Sequence, residues 1–182
     1  ADLVIAIEIP SLETTNELMQ QCDRVLATGG GAMVTAAYSS GTPALGVGVG
    51  NAVITVDDTA DLDDAATKIH MSKTLDLAAS CSSDNSVILV DSIYEPMLER
   101  LKAKGGYLCN AEEKEKLRNT IWDDEGHLNT AIVAQPAQKI ASMAGLDVPE
   151  TTEFYIVIEE GWGKDFPFSG EKLSVVMALY RA

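Results

Sequence analysis

Basic residues are scarce in this chain: 13 Lys and Arg stand against 28 Asp and Glu, for a formal net charge of −15. A protein that neutralises nucleic-acid phosphates needs a basic face. No Lys/Arg cluster exists here, which excludes that class. An anionic cofactor is not excluded, because backbone N–H groups at a helix start can hold a phosphate. Apolar runs are short as well. None approaches the roughly 20 residues that a membrane span requires, and LVIAIEI at 3–9 carries Glu8. The start lacks the basic stretch of a secretory signal. Cysteines number three, Cys22, Cys81 and Cys109. Odd in number and far apart, they speak against a disulfide framework and for a reducing, cytoplasmic setting. Together with His70 and His127 they show no metal-ligand spacing.

What is present is the composition of a folded domain, 46% hydrophobic and 23% charged over 182 residues. That length suits one ordinary domain or two small lobes. The chain opens on Ala and closes on the strand-like LSVVMALYRA, so it is expected to be a piece of something longer.

Strand-like and helix-like segments alternate. LVIAIEI (3–9), RVLAT (24–28), AVITV (52–56), SVILV (86–90), TAIVAQ (130–135), FYIVIEE (154–160) and KLSVVMALY (172–180) read as strands. SLETTNELMQQ reads as a helix capped by Ser11, and AMVTAAYSS is helix-compatible. DTADLDDAATKIHMSKTL is amphipathic, with acids at its start. SIYEPMLERLKAKGG is a helix closed by glycine. AEEKEKLRNTIW pairs Glu112 with Lys116 four residues on, and PAQKIASMAG lies between Pro136 and Gly145. Alternation of this kind predicts an α/β fold with a largely parallel sheet.

Two glycine stretches and one cysteine stand out. VLATGGGAMV is strand, glycine turn, helix, an arrangement that presents backbone donors or simply makes a tight turn; it fits neither dinucleotide nor P-loop spacing. GVGVGN (46–51) bares backbone so that something can pack against it, with Asn51 free to donate to it or to cap a turn. Cys81 lies in LAASCSSDNS, among small polar residues between a helix-like and a strand-like segment. Ser80, Ser82, Ser83 and Asn85 could hydrogen-bond a thiolate, and Lys73 is the nearest cation in sequence. On these residues alone, a passive interior thiol and a reactive one stand level. A Cys–His dyad would need His70 or His127, and nothing places either beside Cys81. Glu171, at a strand entry in FSGEKLSVV, suits either ribose hydroxyls or a solvated turn. Trp122 and Trp162 read as core or edge packing.

Three motifs in order, LATGG…MV.AAYSSG.PALGVG.GN (26–51), DDTAD…SKT.D….C.S..SVI.VDS.Y (57–94) and PF.GEKLS (167–174), together with GHLNTAIVAQPAQKIASMAGLDVPE between them, resemble the aldehyde dehydrogenase superfamily over nearly the whole chain. The likeness is greatest to its CoA-acylating branch, the acetaldehyde and sulfoacetaldehyde dehydrogenases. The resemblance implies part of a Rossmann-type cofactor domain in residues 1–51 and a catalytic domain, cut short at its end, in 52–182. It implies that Cys81 is the nucleophile, that Glu171 holds the nicotinamide ribose, and that Thr28, Gly29 and Gly30 form a turn near the dinucleotide. The implied reaction takes a small aldehyde, NAD or NADP and coenzyme A as co-substrate to an acyl-CoA, in an enzyme that is a homo-oligomer at full length. Hydrolytic relatives carry a catalytic glutamate in the segment matching 46–51, where this chain has only Gly, Val and Asn51, which suits thiolysis. A non-acylating dehydrogenase and an inactive fragment serving as a binding or assembly module are the alternatives. The chain departs from the family at Leu75 and Leu77, usually Phe and Asn, and at Val175, usually Pro.

Overall fold

Among the described residues, 3–182 of a computed structural model, the two periodicities become six α-helices and seven strands, divided between Val49 and Gly50 into two units.

The first unit contains α1 (Leu12–Gln21), β1 (Val25–Thr28), α2 (Gly31–Ser39) and β2 (Ala44–Val47). Ser11 caps α1 through its Oγ, which accepts from the Thr14 N–H at 3.0 Å. Strands β1 and β2 pair in parallel with α2 as their crossover, and Met19, Ala27 and Ala37 form a small core. The strand expected at 3–9 does not form. Leu3, Val4, Ile5 and Ile9 are exposed, and no described strand pairs with them. Apolar, β-favouring residues make a strand only where a neighbour satisfies the backbone.

The second unit is built on a five-stranded sheet of order β3-β4-β7-β6-β5, parallel at every pairing. In chain order its elements are β3 (Ala52–Val56), α3 (Leu62–Thr74), β4 (Asp84–Leu89), α4 (Tyr94–Ala103), β5 (Gly106–Leu108), α5 (Ala111–Ile121), α6 (Ala137–Ala144), β6 (Phe154–Ile158) and β7 (Val176–Arg181). Runs such as Phe154–Val157 and Val175–Leu179 are wholly buried, as expected for the middle of a parallel sheet. Asp61 caps α3, Asn110 and Glu113 form a capping box on α5, and Gly145 ends α6 in the left-handed region.

The strand expected at 130–135 is instead a 3-10 turn, Thr130–Ile132. The Asn129 side chain accepts from the Ala131 N–H at 3.0 Å, which starts the turn, and Ile132 fills the core. The three-residue edge strand β5 begins on the second glycine of the Gly105-Gly106 pair and is too short to show a period of its own.

Candidate active site

Strands β3, β4 and β7 are adjacent and parallel, so the loops that enter them reach one edge of the sheet, its amino end. Those loops carry Gly50 and Asn51, Cys81, and Glu171. Open α/β sheets usually bind ligands at the carboxyl ends of strands; this cluster forms at the opposite edge.

Cys81 is exposed, on a turn between α3 and β4. The turn is fixed by its polar neighbours: Ser80 and Ser82 share a 2.8 Å hydroxyl contact, and the Ser83 N–H donates to the Ser80 carbonyl at 3.0 Å. The Asp84 N–H donates to Ser72 Oγ at 3.1 Å and so ties the strand start back to α3. Before the turn, Asp76, Leu77 and Ala78 run at φ 48°, 54° and 57°. Three consecutive non-glycine residues in the left-handed region are an unfavourable backbone.

Gly50 brings the two candidate side chains into one cluster. A side-chain carbon built there would stand 3.1 Å from the Cys81 carbonyl oxygen, 3.7 Å from Cys81 Cβ and 3.6 Å from Glu171 Oε1. A side chain there would require the Cys81 turn to give by a few tenths of an ångström. Asn51 Nδ2 donates to the Ser169 carbonyl at 2.9 Å, holding the Glu171 loop against the entry of β3. Glu171 Oε1 is buried and has no hydrogen-bond partner. Burial raises this carboxyl above its usual range, and the nearby Gly50 backbone acts in the opposite direction. Glu171 also lines the cleft described below, and a carboxylate there can accept from the two hydroxyls of a nicotinamide ribose.

Beneath the cluster lie two buried lysines whose positions the sequence does not signal, since lysine is rarely buried. Lys73 is 1% exposed and Lys172 0%. Burial pushes Lys73 down to about 7, while Asp84 pulls it back up. Asp84 is itself raised, chiefly by its own burial. Lys172 lies well below the usual lysine range, from burial first and the charge of Lys73 second.

In the other unit, Thr28 ends β1, the Gly29 N–H donates to the Val47 carbonyl at 3.1 Å, and Gly30 is the N-cap of α2, with no side-chain cap bond. Both histidines are engaged: His70 Nε2 pairs with Glu153 at 2.6 Å and His127 Nδ1 with Asp123 at 3.2 Å. Neither pair involves Cys81. Among the described residues no group of three or more His, Cys, Asp or Glu is placed to hold a metal ion, and no helix is long and apolar enough to cross a membrane. A cleft of about 1530 Å³ is lined by Asn51, Ser86, Trp122, Trp162 and Glu171 among others; Cys81 is not on its wall. Trp122 packs edge-on against Phe168 at 4.9 Å, but Trp162 is 84% exposed, against the packing role expected for it. Its loop, between β6 and the Pro167–Ser169 turn, carries it away from the core.

No protein-family model matches the chain. It is 49% identical over 185 residues to the sulfoacetaldehyde dehydrogenase (acylating) of Cupriavidus necator, covering 100% of this chain and 37% of that protein. It is 46% identical over 183 residues to the bifunctional aldehyde-alcohol dehydrogenase AdhE of Escherichia coli, covering 100% of this chain and 20% of that protein. An acetylating aldehyde dehydrogenase from Geobacillus thermoglucosidasius superposes with a TM-score of 0.91 at 40% identity, over 95% of this chain and 38% of the other. A Rhodopseudomonas palustris propionaldehyde dehydrogenase, solved with bound CoA and an acylated cysteine, superposes with a TM-score of 0.85 at 26% identity, over 96% of this chain and 40% of the other. The chain thus spans about two fifths or less of the relatives it matches. By sequence and by fold it is homologous to part of the length of the acylating aldehyde dehydrogenases.

Proposed function

We propose that this chain carries the nucleophile and part of the cofactor site of a CoA-acylating aldehyde dehydrogenase. Residues 1–51 supply the end of the NAD-binding domain, with Thr28, Gly29 and Gly30 as its turn near the dinucleotide, and residues 52–182 supply the catalytic domain. The observation that carries this reading is the cluster around Gly50, in which an exposed thiol and a carboxylate with an orphaned oxygen meet one stretch of bare backbone. The acylated cysteine and bound CoA of the Rhodopseudomonas enzyme support it.

In this reading the Cys81 sulfur, as thiolate, bonds to the carbonyl carbon of a small aldehyde and the oxygen takes up a proton, giving a thiohemiacetal. When bound, the nicotinamide supplies the acceptor for the hydride this carbon gives up, which is the redox half of the reaction. Glu171 holds the ribose through its carboxylate. The hydroxyl gives up its proton to solvent as the hydride leaves, and Cys81 is left carrying the acyl group as a thioester. The thiol of CoA then attacks that carbon, loses its proton and takes the acyl group, and Cys81 leaves as thiolate. Residues 46–51 contain no carboxylate to activate water. Their glycine backbone at residue 50 packs on the Cys81 loop instead, which favours transfer to CoA over hydrolysis.

The test is Cys81→Ser in the full-length protein. Aldehyde-dependent NADH formation falls by about a thousand-fold or more, since serine lacks an accessible anion at neutral pH. Full activity in that variant overturns the assignment. Wild-type NADH formation at an undiminished rate without CoA would instead identify a non-acylating enzyme.

A further inference from the structure

Lys172 follows Glu171 in the chain, yet its side chain is fully buried. Its ammonium donates to three backbone carbonyls, those of Phe168 at 2.6 Å, Gly170 at 2.8 Å and Asn85 at 3.2 Å. Three donors meet three acceptors, so the group is fully satisfied. The Lys172 backbone N–H donates in addition to Asn85 Oδ1 at 3.2 Å. Asn85 is the second residue of β4, four residues after Cys81. Phe168 and Gly170 belong to the loop that ends in Glu171. One side chain therefore binds both segments of the candidate site.

The backbone on either side is of the kind that needs such a tether. Among the described residues five non-glycine residues have positive φ, and four of them are Asp76, Leu77 and Ala78 before Cys81 and Leu173 after Glu171. Backbone of this kind persists only where its surroundings over-determine it. Stability alone does not account for the lysine. An ammonium in the core beside a second buried lysine is unfavourable, and what it gains in return is its three bonds to the backbone of the two site segments.

We propose that Lys172 is a positioning residue: its ammonium fastens the Phe168–Gly170 loop to the start of β4 and thereby fixes the Glu171 carboxylate against Gly50 and the Cys81 turn. This rests on the reading of Glu171 as a contact to NAD.

The test uses the full-length protein with Lys172→Met, which keeps the apolar stem and removes the donors. KM for NAD rises about ten-fold or more, while kcat at saturating NAD changes by less than about three-fold. A merely structural lysine would lower kcat through loss of folded enzyme and leave KM for NAD in place, which overturns the proposal. Glu171→Gln raises the same KM, and adding Lys172→Met to it changes little; effects that multiply also overturn the proposal. If Glu171→Gln alone leaves KM for NAD unmoved, the cofactor reading of Glu171 falls by itself. Lys172 is then decided by carbon-13 titration of the Glu171 carboxyl. Release by Lys172→Met moves that titration down towards the ordinary carboxylate range, and an unmoved titration overturns the proposal. Should Lys172→Met fail to fold, Asn85→Ala removes a single bond of the tether and raises KM for NAD about three-fold; no rise is again decisive against it.

Discussion

The backbone of Gly50 lies so close to Cys81 that a methyl group on residue 50 would stand 3.1 Å from the Cys81 carbonyl oxygen. A carbonyl cannot swing aside as a side-chain tip can, so Gly50→Ala displaces the whole Cys81 turn by a few tenths of an ångström. Covalent catalysis is sensitive to displacements of that size. Gly50→Ala is expected to lower kcat/KM for aldehyde oxidation about ten-fold or more while the melting temperature falls by only about 2–4 °C. Steady-state kinetics beside a thermal melt separates the two effects. An unchanged kcat/KM would show that the turn has slack the packing does not suggest.

The three cysteines differ enough in setting to be told apart chemically. Cys81 is exposed and Cys22 half-buried, whereas Cys109 is buried and its thiol is pushed up to about 12, by burial first and the Glu113 charge second. Thiolate is the species that alkylates. With iodoacetamide and peptide mass spectrometry, Cys81 is expected to label fastest and Cys109 only after unfolding. Because Cys109 is buried and protonated in the folded protein, its labelling stays far slower than that of Cys81 throughout about pH 7 to 9. Labelling of Cys109 at the rate of Cys81 would contradict the burial described.

The sheet was legible because its inner strands β4, β6 and β7 are largely buried on both faces and three of the four connections between its successive strands carry helices. Both signals are local. The strand at 3–9 and the one at 130–135 were misread for one reason: composition reports what a segment is suited to, while a ladder also needs a partner or freedom from competing side-chain caps such as Asn129. The approach of backbone at Gly50 was foreshadowed by alternating glycines, but what it approaches was not. That Cys81 and Glu171 share one edge follows from strand order, with β7 beside β4 across nearly ninety residues of intervening chain, and no local pattern encodes it. Lys172 is the extreme case. Its sequence neighbourhood, a glycine and a glutamate after a turn, looks solvated, and only the fold converts it into a buried tether.

Leu77 occupies the left-handed region at φ 54° between Asp76 and Ala78. Asn adopts that conformation far more readily than Leu. Leu77 is 36% exposed and lies outside the buried core, so replacing it leaves the core packing intact. Leu77→Asn is expected to stabilise the fold by about 0.5–1 kcal/mol, read as an upward shift of the urea midpoint. Leu77→Val, β-branched at the same φ, shifts it downward. A lower midpoint for the asparagine variant would mean that leucine packing outweighs backbone strain at this position.

Lys73 gives the fold a pH dependence whose sign is fixed. Buried on the last turn of α3, it has its pKa lowered to about 7 by desolvation, with Asp84 only partly restoring it. In the unfolded chain it keeps its proton up to about 10.4. Below about pH 7 both states are protonated and the full penalty of the buried ammonium is present. Between about pH 7 and 10.4 the unfolded state binds more protons, so stability rises with pH, with a slope approaching about 1.4 kcal/mol per unit. Lys172 is depressed in the same direction, but three backbone carbonyls accept from its ammonium and hold that form in place. Cys109 and Tyr107, both raised to about 12, oppose the rise only where the unfolded thiol and phenol begin to ionise, near 9 and 10. Urea unfolding at about pH 7 and 8, below most of that ionisation, therefore reads chiefly Lys73. Wild type gains stability over that interval, and Lys73→Met gains distinctly less. Parallel curves for the two proteins would show that Lys73 keeps its proton in the folded state and that its burial costs the fold nothing that pH can relieve.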